Sequence, residues 1–121
     1  MKRWNGWGDD ANALDYTLSD VARGFLEGLI GKSTPLQDAS LEKVLASVPE
    51  SRLPPNDLYS LDAEVRLRHA RGQSLPDWLA LRSGEFGVFP DAVAFPESSH
   101  QVQSLLQHAA EHQIDVIPYG G

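Results

Sequence analysis

The residues of this chain whose types and spacing best suit chemistry are the last four, Pro118, Tyr119, Gly120 and Gly121. Consecutive glycines let backbone N–H groups turn toward an anion, and a phosphate can come close because no Cβ intervenes. The apolar run 114–117 just before them is typical of a strand, and ligands of open α/β sheets bind beyond the carboxyl ends of strands. We therefore predict a phosphate-binding loop at 118–121 rather than a plain turn.

A second motif, His108-Ala109-Ala110-Glu111-His112, has the H-x-x-E-H spacing of inverted zinc peptidases. Two histidines four residues apart on a helix can share a metal. No third ligand follows, however, and both histidines lie off the apolar stripe of the helix that carries them. We favour a solvated polar face over zinc chemistry and predict no metal site.

The chain has one basic cluster, and two interpretations of it stay open. Its arginines could hold a phosphorylated substrate or a cofactor through bidentate contacts. Alternatively it is a solvated helix face, balanced by Asp62, Glu64 and Asp77, which we favour. The cluster comprises Arg66, Arg68, His69, Arg71 and Arg82.

The elements that position the terminal loop are two predicted strands and a helix. Residues 91–95 form a short apolar run between prolines, as expected for a buried strand. Ser98 stands three residues before Gln101, the spacing of a capping box, and opens a helix with an apolar stripe. With the strand 114–117, this order predicts a parallel βαβ unit. The stripe comprises Val102, Leu105, Leu106, Ala109 and Ala110.

Four further helices are predicted upstream, opened by the caps Ser19, Ser40, Asp62 and Ser74. Each has an apolar side that we expect to face a core; on the first helix this side is Val21, Phe25, Leu26, Leu29 and Ile30. Gly24 and Gly28 on that helix indicate a close helix contact. The fold class is therefore α+β, with a helical N-terminal region at 1–85 and the first βαβ unit of a second domain at 86–121. We expect Trp4 and Trp7 to pack onto a neighbouring domain, and Trp7 and Trp78 to be core or docking residues rather than cofactor stackers.

Composition limits the partners. The net charge of −7 argues against nucleic acid and anionic membranes, and the absence of cysteine excludes disulfides within the sequence. No apolar signal segment follows the first residues, so we expect a soluble cytoplasmic protein. All ten Lys and Arg precede Pro90. A phosphate at the terminal loop must then be held by backbone dipoles, or by cations from elsewhere in a longer protein.

Two sets of residues carry a resemblance to a known family. Residues 90–93 through 117–121 resemble the start of the FAD-binding (PCMH-type) domain of the vanillyl-alcohol oxidase superfamily, whose glycine loop wraps the FAD pyrophosphate. Arg3-Trp4-Asn5-Gly6-Trp7-Gly8 is similar to the opening of alkyldihydroxyacetonephosphate (alkylglycerone-phosphate) synthases. The segments 68–70 and 79–84 resemble the helical region before the flavin domain of those enzymes.

The resemblance implies FAD as cofactor, with Pro118, Tyr119, Gly120 and Gly121 contributing to pyrophosphate binding. It implies a flavoprotein transferase of ether-lipid biosynthesis that exchanges acyl for alkyl on dihydroxyacetone phosphate. The substrate would be phosphorylated and lipid-linked, and a homodimer is compatible with this interpretation. The sequence ends inside the glycine motif, so we expect an N-terminal fragment of a longer enzyme, and no catalytic residue carries over. The alternatives are an FAD-linked oxidoreductase of 2-hydroxy acids such as lactate or glycolate, or a non-catalytic helical interaction module.

Overall fold

The structure is a computed structural model that describes residues 3–9, 11, 17–35 and 37–120. Within these residues the chain forms five α-helices joined by extended segments. They are α1 (Asp20–Ile30), α2 (Leu41–Leu45), α3 (Ala63–Arg68), α4 (Leu75–Ser83) and α5 (Ser99–Glu111). None of the helices described is long and apolar enough to cross a membrane.

The predicted N-caps are confirmed, because each capping side chain accepts a hydrogen bond from a backbone N–H in the first turn of its helix. The caps are Ser19, Ser40, Asp62, Ser74 and Ser98. At α5 the predicted capping box is only half formed. The Ser98 hydroxyl accepts from the Gln101 N–H at 3.2 Å, but the Gln101 side chain accepts from the N–H of Glu97, at 2.6 Å, instead of from that of Ser98.

A small hydrophobic core joins three of the helices to the segment that follows them. Val44 of α2, Leu67 of α3, Leu81 of α4 and Phe86 form this buried cluster. Gly84 ends α4 with a left-handed φ of 78°, and a Cβ there would lie 2.9 Å from the Cβ of Ala39. The turn into Phe86 is thus packed closely against the chain that leads into α2. Phe86, the first residue after the proposed domain boundary at 85–86, shares a core with the helices before it. The boundary stays a prediction.

The predicted βαβ unit is not confirmed. Its helix forms as α5, but the described residues contain no strand ladder on either side of it. The backbone pairing at 91–95 is one antiparallel bridge, in which Ser60 and Val93 exchange N–H···O bonds of 2.8 and 3.0 Å. Parallel strands normally lie within larger sheets that are covered on both faces. The two segments on either side of α5 do not pair with each other because the described residues supply no such sheet.

The expectation that the apolar side of α1 faces inward is wrong. All five of the residues predicted to face a core are solvent-exposed, and none of the residues of α1 is buried. Helix α4 follows the prediction in part, because Leu81 is buried and Trp78 packs on the core, while Leu75 and Leu79 are exposed. Along the stripe of α5 burial is likewise partial. Ala109 is buried, Leu105 is half-buried, and Val102, Leu106 and Ala110 are exposed.

The two N-terminal indoles contact aromatic rings of this chain. Trp4 is half-buried and stacks on Phe86, with ring centroids 6.2 Å apart. Trp7 meets Trp78 of α4 edge-on at 4.3 Å and stays largely exposed. The opening segment therefore closes over the core from the side of α4.

Candidate functional site: the terminal loop and the residues that hold it

The predicted phosphate-binding loop lies on the surface directly after the segment 114–117. Pro118, Tyr119 and Gly120 are exposed, and Gly121 lies outside the described residues. A Cβ built on Gly120 would meet no atom within 4 Å. The backbone at this position is therefore open to approach by a ligand, and nothing in the described residues obstructs it.

The loop is anchored by an aromatic contact with α3. The ring of Tyr119 lies edge-on to that of His69, with centroids 4.8 Å apart, and Phe95 approaches the same imidazole at 5.4 Å. His69 Nδ1 lies 2.7 Å from the carbonyl oxygen of Val65. A carbonyl oxygen can only accept, so Nδ1 carries the hydrogen, and this bond orients the ring toward Tyr119 and Phe95.

Arg66 is a buried arginine that binds two backbone carbonyls. Its side chain is only 3% exposed. Nε donates to the carbonyl oxygen of Pro90 at 2.7 Å, and Nη1 donates to that of Pro49 at 2.8 Å. Because a buried guanidinium is costly unless its donors are satisfied, this arrangement fixes where the chain enters the segment that begins at residue 90.

Two more arginines bind the chain at or just before this entry point. Arg52 forms a bidentate contact with Asp91, with Nη2 2.5 Å from Oδ2 and Nε 3.0 Å from Oδ1. The hydrogen bonds from Arg52 keep the pKa of Asp91 below its ordinary value. Arg71 donates from Nε to the carbonyl oxygen of Phe86 at 2.8 Å and from Nη2 to that of Glu85 at 3.2 Å. Arginine side chains thus bind the chain at 85–86 and again at 90–91.

The remaining arginines of the predicted basic cluster also bind partners within the chain. Arg68 pairs with Glu64 along α3 at 2.6 Å. Arg82 pairs with Asp38 at 2.5 Å, and this contact lowers the pKa of Asp38. The cluster therefore acts mainly within the fold. The interpretation as a solvated face underestimated how many of these side chains fasten the chain to itself.

The H-x-x-E-H motif does not build a metal site among the residues described. The rings of His108 and His112 lie 4.2 Å apart, and His112 Nδ1 donates to the carbonyl oxygen of His108 at 2.9 Å. Among the described residues, no group of three or more His, Cys, Asp or Glu is placed to hold a metal ion. The histidine pair instead lies beside Tyr59, whose ring is 5.9 Å from that of His108.

An open cleft of about 250 Å³ lies beside the Ser60–Val93 bridge, and Gly120 is not among the residues that line it. Asp57, Tyr59 and Phe95 are among the residues that line it. The Tyr59 hydroxyl donates to the carbonyl oxygen of Pro54 at 2.8 Å and is thus already engaged. None of the described candidate functional residues named from the sequence lines this cleft.

The described residues fit the edge of a dinucleotide pyrophosphate site that is made of backbone alone. Gly120 is unobstructed and the adjacent Tyr119 is anchored, which suits backbone N–H groups meeting an anion. The chain after Pro90 contains no Lys or Arg, and the arginines of α3 and α4 all have partners within this chain. The loop therefore has no Lys or Arg with which to neutralise a pyrophosphate, and full neutralisation needs cations from outside the loop.

Sequence reasoning missed the residues that hold the loop. His69 and Arg66 were assigned to a solvated basic face, although both contact the segment after residue 89. Their separation of three residues on a short helix is a weak signal, because it also occurs on exposed faces. The neighbouring Leu67 is fully buried, and this apolar position within the basic run is the one hint that the run lies against a core.

In fold, the chain is similar to one class of solved protein. It matches the structure of an alkyldihydroxyacetonephosphate synthase in crystal form P1, with a TM-score of 0.67, 26% identity, and coverage of 98% of this chain and 28% of the other. A second match, in crystal form P212121, has a TM-score of 0.64, 25% identity, and coverage of 98% and 27%.

Sequence comparison leads to proteins of the same name. The chain is 28% identical to the alkyldihydroxyacetonephosphate synthase of Caenorhabditis elegans over 149 aligned positions, covering 98% of this chain and 24% of the relative. The synthase of Trypanosoma brucei brucei is also 28% identical, with the same coverage. That of Dictyostelium discoideum is 35% identical over 60 residues, which covers 50% of this chain and 10% of the relative.

These matches confirm the resemblance to the alkyldihydroxyacetonephosphate synthase family, which fits the chain in both sequence and fold. No protein-family model matches the chain. The chain spans about a quarter of the length of the relatives that it matches along almost its whole length.

Proposed function

We propose that this chain forms the opening part of an FAD-dependent ether-lipid synthase, and that its terminal loop contributes to binding the FAD pyrophosphate. The observation that carries the proposal is the match to alkyldihydroxyacetonephosphate synthases over 98% of this chain, in sequence and in fold. The alternative of a 2-hydroxy-acid oxidoreductase has no comparable observation in its favour.

In this proposal the residues of the chain bind and position. Backbone N–H groups at Gly120 and Gly121 meet the pyrophosphate, and Pro118 directs the chain out of the preceding segment. His69 holds Tyr119 in place, while Arg66 and Arg52 fix the entry to the flavin-binding part. The FAD supplies the reactive ring at which an acyl group on dihydroxyacetone phosphate is exchanged for a long-chain alkyl group.

The test begins with the polypeptide as its source cells make it. The intact mass and the flavin absorbance of this material are measured together. It is then assayed for incorporation of a labelled long-chain alcohol into acyl-dihydroxyacetone phosphate. We expect bound FAD and alkyl incorporation. Material that lacks flavin, or that reduces a dye with lactate or glycolate but incorporates no alcohol, would overturn the proposal.

A variant pair makes the test specific to the loop. A Cβ at Gly120 meets nothing within 4 Å, so Gly120→Ala should leave stability unchanged, and any loss of flavin would report contact with the ligand. We expect FAD to bind about tenfold more weakly, a difference of ~1.4 kcal/mol. Gly6→Ala is the matched control, since its surroundings are equally open and it lies far along the chain from the loop. Equal FAD affinity in the two variants would show that Gly120 is not part of the FAD-binding site.

A further inference from the structure

Helix α1 presents a broad apolar face to solvent. The exposed fractions of its side chains are 84% for Val21, 68% for Phe25, 68% for Leu29 and 83% for Ile30. Successive residues of an α-helix are 100° apart, so Val21, Phe25 and Leu29 fall within about 80° of one another on one side of α1. Arg23 and Glu27 lie on the other side, and Ile30 lies beside Arg23. Contiguous apolar surface of this kind marks an interaction site more often than a free surface.

The described residues do not stabilise this helix through packing. Helix α1 does not pack against any other helix of the described residues. Helix α1 has only 11 residues, and helices shorter than about 12–15 residues are marginal in water without tertiary contacts. A partner surface on its apolar face would therefore stabilise this helix.

The polar side and the glycines of α1 are consistent with docking through the apolar face. Arg23 pairs with Asp20, and Glu27 accepts hydrogen bonds from Ser33, so the charged groups are engaged on the far side. Gly24 and Gly28 border the apolar face, and a Cβ at either would meet nothing within 4 Å. These glycines let another backbone approach α1 closely.

We propose that the apolar face of α1 (Val21, Phe25 and Leu29) docks on the polypeptide that corresponds to the remaining three quarters of the synthase relatives. This inference rests on the proposed function. The relatives match 98% of this chain, yet about 72–76% of their length has no counterpart in it. A polypeptide of that size supplies the apolar partner surface that the described part of this chain lacks.

Two other occupants fit the observations less well. A membrane-surface helix usually carries Lys and Arg along its polar side, whereas α1 has one Arg against Asp20 and Glu27, in a chain of net charge −7. A second copy of the chain would meet α1 through a single 11-residue helix. That contact is small beside the roughly 800 Å² per partner of a stable interface.

A photo-crosslinking experiment in the source cells tests the docking. A benzophenone amino acid replaces Phe25 on the apolar face in one variant and Arg23 on the polar side in the matched control. After irradiation, mass spectrometry identifies the crosslinked peptide. We expect crosslinking from position 25 to a sequence related to the unmatched three quarters of the synthases, within the same polypeptide or a separate one, and much less from position 23.

Each other outcome overturns the inference. Crosslinks to a second copy, to residues within this same 121-residue segment, to lipid or to an unrelated protein would assign the face to another occupant, and equal yields at both positions would show no docking. Flavin is measured separately on the same material. A synthase-related crosslink without FAD would leave the docking standing and overturn the proposed function, and FAD without that crosslink would do the reverse.

A second pair of variants does not depend on the photochemistry. Phe25→Gln and Arg23→Gln place the same good helix former on opposite sides of α1. Amide hydrogen exchange in α1 of the native material should become faster in the first variant and stay unchanged in the second. Unchanged protection of α1 in Phe25→Gln would contradict docking through this face.

Discussion

The imidazole of His69, at the end of α3, lies edge-on to the ring of Tyr119, at the start of the glycine loop, with centroids 4.8 Å apart. The two residues are fifty positions apart in sequence, so this contact joins the helical region directly to the loop. The hydrogen bond from His69 Nδ1 to the carbonyl oxygen of Val65 keeps the ring in the orientation that makes the contact possible. The loop is thus anchored through a side chain at its base, while Gly120 beyond it stays open.

We therefore expect His69→Ala to loosen the loop. Aromatic contacts of this kind contribute about 0.5–1.5 kcal/mol each, so the free energy of unfolding should fall by roughly 1–2 kcal/mol. Backbone ¹⁵N relaxation should show greater mobility at Tyr119 and Gly120. His100→Ala is the control, because His100 is exposed on α5. Unchanged relaxation at Gly120 in His69→Ala would contradict the anchoring role.

The buried Arg66 should be the most sensitive charged residue of the fold. Arg66→Met keeps much of the apolar stem but leaves the carbonyls of Pro49 and Pro90 without their donor. We expect the free energy of unfolding to fall by about 2–4 kcal/mol, measured by urea denaturation. Arg23→Met removes an arginine from an exposed ion pair and should cost less than about 0.5 kcal/mol. Similar losses in the two variants would mean that the buried hydrogen bonds contribute little.

Much of the helical structure could be predicted because its signals are local. A capping serine or aspartate satisfies backbone N–H groups within its own first turn, so Ser19, Ser40 and Ser74 identify helix starts without knowledge of the rest of the fold. The end of α4 at Gly84 is local for the same reason, since glycine adopts the left-handed φ there at little cost.

The errors all concern contacts between distant residues. Periodicity in α1 showed which side of the helix is apolar, but it could not show whether anything covers Phe25. The strands at 91–95 and 114–117 need neighbouring strands, and a sequence run cannot say whether a neighbour is present. Arg66 is buried because carbonyls from two distant segments converge on it, and no pattern within α3 encodes those carbonyls. The binding residues at 118–121 stay a prediction.

Gly84 provides a test of packing at the core. Gly84→Ala would place a Cβ 2.9 Å from that of Ala39 and 3.1 Å from Cγ2 of Val44. Gly87 has almost the same φ, 76° against 78°, but its added Cβ would meet only the flexible end of Arg71, at 3.3 Å. Both variants bear the strain of a left-handed alanine, so the difference between them isolates the overpacking.

We expect Gly84→Ala to cost about 1–3 kcal/mol more than Gly87→Ala in the free energy of unfolding. In an Ala39→Gly background much of that excess should disappear, because the closer of the two clashing atoms is gone. Equal costs for the two glycine variants would show that the core yields at this turn. An excess that persists without the Ala39 methyl group would show that the contact with Ala39 is not its cause.

The contact between Asp91 and Arg52 should make stability depend on acid pH. The hydrogen bonds from Arg52 lower the pKa of Asp91 from its ordinary value of 3.8. A carboxylate with a lowered pKa in the folded state contributes stability that is fully present above its unfolded pKa and is lost as pH falls through its folded pKa. The loss therefore occurs below about pH 4. Asp38 and Asp77 act in the same direction, through Arg82 and Ser74 respectively.

Asp91→Asn should reduce this dependence without abolishing it, because Asp38 and Asp77 remain. The measurement is the melting temperature between pH 2.5 and pH 6 for the wild-type chain, Asp91→Asn and Arg52→Gln. We expect both variants to melt at lower temperature near pH 6, and the difference from the wild-type chain to narrow as the pH falls below about 4 and Asp91 takes up a proton. Parallel curves for all three proteins would mean that the contact adds no stability in solution. The entry segment would then depend on its other contacts, such as the hydrogen bond from Arg66 to Pro90 and the Ser60–Val93 bridge.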